Sequence, residues 1–184
     1  MRTFALLLLL LFPLRAGAEP KYAHGYYAEA GLGTSFYLGD AGKYIAPGPS
    51  FGLRSGYELW PWLALGGRFS GGIHEGDLPP PPEREYFQLL EGAAEARLTV
   101  RIQRVALFAE GSLGFGYVTT NLLDRVGVTQ PDEYLSTLLG AGGGIDYHTQ
   151  NRHFSFGLTA DYALFPGFSS AQGITLRAYL RYTR

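Results

Sequence analysis

No cysteine occurs in the 184 residues. That excludes a disulfide framework and also a lipidated N-terminal cysteine as a membrane anchor. Lysine is confined to Lys21 and Lys43, and charged residues make up only 17% of the chain, below the roughly 25% of ordinary soluble domains. The formal net charge of −1 offers nothing to nucleic acid or to a strongly acidic partner. No stretch shows convincing helical periodicity. After residue 18 no apolar run approaches the roughly 20 residues that a membrane-spanning helix needs.

The first residues read as an export signal. Arg2 supplies the positive start, Phe4 to Leu14 form an apolar run too short to span a bilayer, and Ala16-Gly17-Ala18 offers a small-x-small cleavage pattern. Residues 1–18 are therefore expected to be a cleavable signal peptide and residues 19–184 a single domain. An exported chain without a spanning helix that lives in a membrane must cross it with strands.

Glycine is abundant, with 26 residues, as are tyrosine (13) and phenylalanine (12). They fall into eight segments of period-two alternation, the mark of strands with two unlike faces. The segments run over 25–37, 50–59, 62–74, 85–100, 105–118, 134–147, 153–165 and 172–182. In 153–165, for example, Phe154, Phe156, Leu158, Ala160, Tyr162 and Leu164 oppose Ser155, Gly157, Thr159 and Asp161. Short connections near Trp60-Pro61, Ile102-Gln103 and Thr149-Gln150-Asn151 alternate with longer ones at about 38–49, 75–84, 119–133 and 166–171. An even number of antiparallel strands with alternating short and long loops is how outer-membrane barrels are built.

Alternation alone does not say which face points inward. A soluble barrel hides its apolar face, whereas a membrane barrel inverts that arrangement. Three features favour inversion. The polar face is rich in glycine, a poor choice for a solvated strand but suited to a crowded lumen. It also carries Glu29, Glu58, Glu91, Glu95, Glu110, Asp146 and Asp161 with Arg54, Arg68, Arg97, Arg177 and Arg181. The cation is always arginine, whose planar fork satisfies several carboxylates at once. Finally, Tyr26, Phe36, Tyr57, Tyr86, Tyr117, Tyr147, Phe154 and Tyr182 lie toward the ends of the apolar face, as interfacial girdles do.

In this pattern residues 22–184 resemble the small outer-membrane β-barrel family typified by the OmpA membrane domain and OmpX. The resemblance implies an eight-stranded antiparallel up-and-down transmembrane β-barrel in the outer membrane of a Gram-negative bacterium. Such barrels end on a strand with aromatic residues at its last outward positions. Here Leu180 and Tyr182 keep that rhythm, and Thr183 and Arg184 overshoot it.

Several residues could carry chemistry. Some barrels of this family are lipid-modifying enzymes using serine, histidine and an acid. His153 and Ser155 are expected on the same lumenal face with Asp161 further along, but they follow a short turn, at the end away from lipopolysaccharide. His74 with Glu75 and Asp77 has metal-ligand chemistry, although one histidine with loop acids reads more simply as a surface loop. His24 and His148 read as solvated. Gly140 to Gly144 sits within a strand without a lysine or a following helix, which excludes a phosphate loop. Pro79-Pro80-Pro81-Pro82 imposes a stiff extended rod, suited to a spacer or a docking surface.

No catalytic, cofactor or metal site is expected from these residues. The arginine–carboxylate set is expected to be a salt-bridged plug, with Asp161 paired to Arg177 on the final strand. The function expected is non-enzymatic: an interaction, anchoring or structural component of the envelope, such as a subunit of a secretion, adhesion or gliding machine. Its partners would be outer-membrane lipid and other envelope proteins, met through the outer loops (40–50, 76–84, 121–131) or the periplasmic turns. The alternatives are a lipid-modifying hydrolase and a narrow pore for small solutes.

Overall fold

The computed structural model describes residues 25–78, 83–151 and 153–184. The expected signal peptide, His24 and the four prolines at 79–82 lie outside the described residues. Eight strands form one closed antiparallel barrel: β1 (Tyr26–Leu38), β2 (Gly48–Trp60), β3 (Leu63–Leu78), β4 (Glu83–Ile102), β5 (Val105–Val118), β6 (Leu135–His148), β7 (Phe154–Phe165) and β8 (Ala171–Thr183). Each strand pairs with the next, and β8 returns to β1 over a register running from Tyr27↔Thr183 to Leu38↔Gln172. Closure leaves no strand edge of the barrel unpaired, as a bilayer would require, where an unsatisfied backbone group is costly.

The alternation determines the faces. Leu53, Phe69, Leu113, Phe115, Leu158 and Leu180 point outward and are exposed, while Arg54, Arg68, Arg97, Asp161 and Arg181 point inward and are buried. An outer wall of leucine and phenylalanine suits lipid. At the short-turn end the girdle aromatics pair, Tyr26 with Tyr57 at 4.9 Å and Phe154 with Tyr182 at 5.2 Å between ring centroids. Trp60 and Trp62 stack there at 5.6 Å across Pro61.

Two boundaries differ from the sequence reading. The long loop expected over 75–84 is mostly strand, because β3 runs to Leu78 and β4 starts at Glu83. The pairing continues because period-two alternation does: Phe87 and His74 face each other across the register and stack at 5.5 Å. Loop 39–47 then adds to the β3 side, with Ala46 N–H donating to Glu75 O and Asp77 N–H to Tyr44 O. Second, His148 is the last residue of β6 and half-buried, not a solvated loop residue.

Candidate functional site: a filled lumen beneath an outer cap

The lumen is packed in layers. Nearest the short turns, Glu58 accepts from Arg181 Nη2 and from Arg101 Nη2 (3.0 Å), and the Arg181 guanidinium lies 4.1 Å over the Tyr27 ring. Asp146 accepts from the Tyr179 hydroxyl. One step further in, Glu29 receives a bidentate pair from Arg97 (2.7 and 3.1 Å) and a bond from Arg181 Nη1 (3.2 Å). Glu110 takes Arg54 Nη2 at 2.6 Å and Arg97 Nε at 3.1 Å, while Arg97 covers the Phe108 ring at 4.2 Å. Glu95 lies 3.6 Å from Arg54 Nε.

Asp161 gathers three cations. Arg54 Nη2 reaches both carboxylate oxygens at 3.0 Å, Arg177 Nη2 donates to Oδ2, and Arg68 lies 3.8 Å away. Thr159 Oγ1 adds a bond at 3.0 Å. Glu91 stands between Ser70 Oγ (2.9 Å) and Arg68 (3.6 Å). Such a network is favourable in a dry interior only if nearly every charge is paired and hydrogen-bonded.

Inward glycines make room for these groups. A methyl group at Gly56 or Gly66 would lie 2.7 or 2.5 Å from the Tyr27 hydroxyl, and one at Gly52 would lie 2.6 Å from Arg177 Nη1. Gly56 and Gly66 are therefore the socket for the Tyr27 hydroxyl, and Gly52 makes room for the Arg177 guanidinium.

Toward the long loops the filling changes character. Phe87, Leu89, Val118, Leu138, Ala163 and Phe165 point into the lumen and form one apolar cluster. Ala41 and Ile45 from loop 39–47, Leu122, Leu123 and Val128 from loop 119–134, and Phe168 from loop 166–170 join the same cluster. This cap went unread in the sequence, although its signal is visible. The inward parity of β4 runs Phe87, Leu89, Glu91, Ala93, Glu95, and that of β6 runs Ser136, Leu138, Gly140. Tyr27, Tyr179, Phe108 and Arg101 are further lumenal residues that the charge pattern alone left out.

The candidate chemical residues do not converge. His153 and Ser155 are not on one face: Ser155 is buried in the lumen, whereas His153 ends the turn, stacks on Tyr182 at 5.8 Å and places Nδ1 2.7 Å from Thr183 O. The turn bond from Phe154 N–H to Asn151 O starts β7 one residue too late for His153 to share the lumenal parity. His74 is not a loop residue. It is buried against the cap, while the strand alternation turns Glu75 and Asp77 to the other face, so the three do not meet. Among the described residues no cluster of three potential metal ligands occurs.

A lipid-compatible outer wall, a charged and filled lumen, and short turns opposite long loops define a transmembrane β-barrel of the small outer-membrane type. The chain belongs to the outer membrane protein β-barrel domain family, whose model matches residues 4–181. No curated protein matches it in sequence. Among solved structures it is similar to Neisserial surface protein A, with a TM-score of 0.66, 17% identity, and 88% of this chain and 99% of that one covered. It is also similar to Ail, the attachment invasion locus protein of Yersinia pestis, solved with the heparin analogue sucrose octasulfate (TM-score 0.55, 15% identity, 86% and 98% covered). A third is the N-terminal β-barrel domain of Pseudomonas aeruginosa OprF (TM-score 0.51, 12% identity, 87% and 98% covered). At these identities the likeness is one of fold.

Proposed function

We propose that this barrel is a non-enzymatic component of the envelope that acts by interaction through its outer loops, with the barrel as anchor. The observation that carries this reading is the double filling of the lumen, by ion pairs in the middle and by an apolar cap beneath the loops. Eight strands leave room for little more than side chains, and here side chains take that room. This filling among the described residues speaks against solute passage and for partners met through the loops, the turns and the lipid face. The separation of His153 from Ser155 argues in the same direction against a hydrolase. The complex of Ail with sucrose octasulfate is an instance of a barrel of this fold binding a soluble ligand.

Export by a signal peptide cleaved after Ala18 belongs to the same proposal, and N-terminal sequencing of the mature protein tests it. The role itself is tested by affinity capture from outer membranes with a tag inserted in loop 119–134. A reproducible set of envelope proteins supports the interaction role, and an empty capture contradicts it. Lipid A that is altered by the native protein but not by a variant carrying Ser155→Ala and His153→Ala would instead make it an enzyme.

A further inference from the structure

Between the charge network and the apolar cap lies a small chamber with a mixed polar and apolar wall. Ser35, Ser50, Ser70, His74, Glu91 and Arg177 line it beside apolar neighbours, and its volume is ≈ 20 Å³. A water molecule needs about 10–15 Å³ and two to four polar partners, so the chamber has room for one. Gly72 keeps it open, because a methyl group there would lie 2.8 Å from His74 Nε2 and 3.0 Å from Ser35 Oγ.

Among the described residues, two buried polar atoms at this level have no hydrogen-bond partner. They are Oγ of Ser50, a lining residue only 8% exposed, and Nε of Arg68, which stands one inward step below Ser70 on β3. Buried donors and acceptors are rarely left unpaired in proteins. The chamber wall itself carries one carboxylate, Glu91, and one guanidinium, Arg177. An ion of either sign would upset that balance, whereas a neutral molecule that both donates and accepts fits it.

The chamber also joins two parts of the molecule. Above it, His74 Nδ1 lies 3.4 Å from Ala46 O in loop 39–47, and Nε2 lies 3.1 Å from Ser35 Oγ. Below it, Ser70 Oγ donates to Glu91, which faces Arg68.

We propose that the chamber holds a single structural water that ties loop 39–47 to the arginine–carboxylate network. The water completes the hydrogen bonding of Ser50 and links the Ser35–His74–Ala46 run to Glu91. A loop on the outer face is thereby held in one shape from inside the barrel, whichever partner it meets.

A high-resolution crystal structure of the detergent-solubilised protein, combined with amide hydrogen exchange at Ala46 and Asp77, tests this. Density for one water within hydrogen-bonding distance of Ser50 Oγ and Glu91 is expected. Ser50→Ala should speed exchange at both amides on the order of tenfold while leaving mid-barrel amides such as Ala160 protected. Ser50→Thr, which keeps the hydroxyl, should exchange like the native protein. A dry chamber, a larger occupant, unchanged exchange in Ser50→Ala, or equal loosening by Ser50→Thr would overturn the proposal.

Discussion

Asp161 shows how much one side chain carries in this lumen. It satisfies Arg54 and Arg177 and faces Arg68, so its removal leaves three buried guanidinium groups short of a carboxylate. Breaking a buried ion pair typically costs about 3–5 kcal/mol. Asp161→Ala should lower stability by that order in urea unfolding from lipid vesicles, and an unchanged midpoint would show the carboxylate to be dispensable. The pairing with Arg177 is readable from sequence because β7 and β8 are neighbours. The bond to Arg54 is not, since it crosses the lumen from β2 to β7 and no local spacing reports it. The glycine sockets behave alike: their inward parity is legible, but which ring fills each is a property of the closed barrel. Gly56→Val should collide with the Tyr27 hydroxyl and the Leu65 carbonyl. Overpacking of this kind costs about 1–3 kcal/mol, measurable by the same unfolding.

Among the elements, the strands were the most legible part, because period-two alternation sets both their existence and their faces. The outer wall supplies a check: Leu113, mid-strand on β5 and exposed to lipid, should tolerate phenylalanine but not arginine. Leu113→Arg is expected to cost about 2–4 kcal/mol if it sits near the bilayer midplane, read as a loss of folded fraction in vesicles. The outer ends of the strands were harder to read. β3 and β4 extend past their other neighbours, and the inward positions there change from charged to apolar at Leu89, Val118, Leu138 and Phe165. Alternation places these four residues inside strands 85–100, 105–118, 134–147 and 153–165, but it reads only charged inward positions as filling and ends β3 at 74 rather than Leu78. The structure shows a cap instead, closed by loop residues whose arrival no periodicity predicts. Leu138→Ala should destabilise by about 2–5 kcal/mol through loss of packed volume, and the charge layer should still keep the barrel closed.

For the molecule as a whole, the two fillings have different physics and therefore different failure modes. The cap depends on burial of apolar area contributed partly by loops, whereas the network depends on mutual pairing of charges fixed to the strands. Loss of either should leave the other in place. The outer membrane setting follows from the inverted faces and from family membership. The choice of partner was not legible, because it depends on loop surfaces that share neither period nor motif. Single-channel recording in planar bilayers tests the central claim, a lumen that is closed, most directly. The native barrel should show no steady ionic current above that of the bare bilayer, and Leu138→Ala should be equally silent. A sustained, voltage-dependent current through the native protein would contradict the closed lumen and restore the pore.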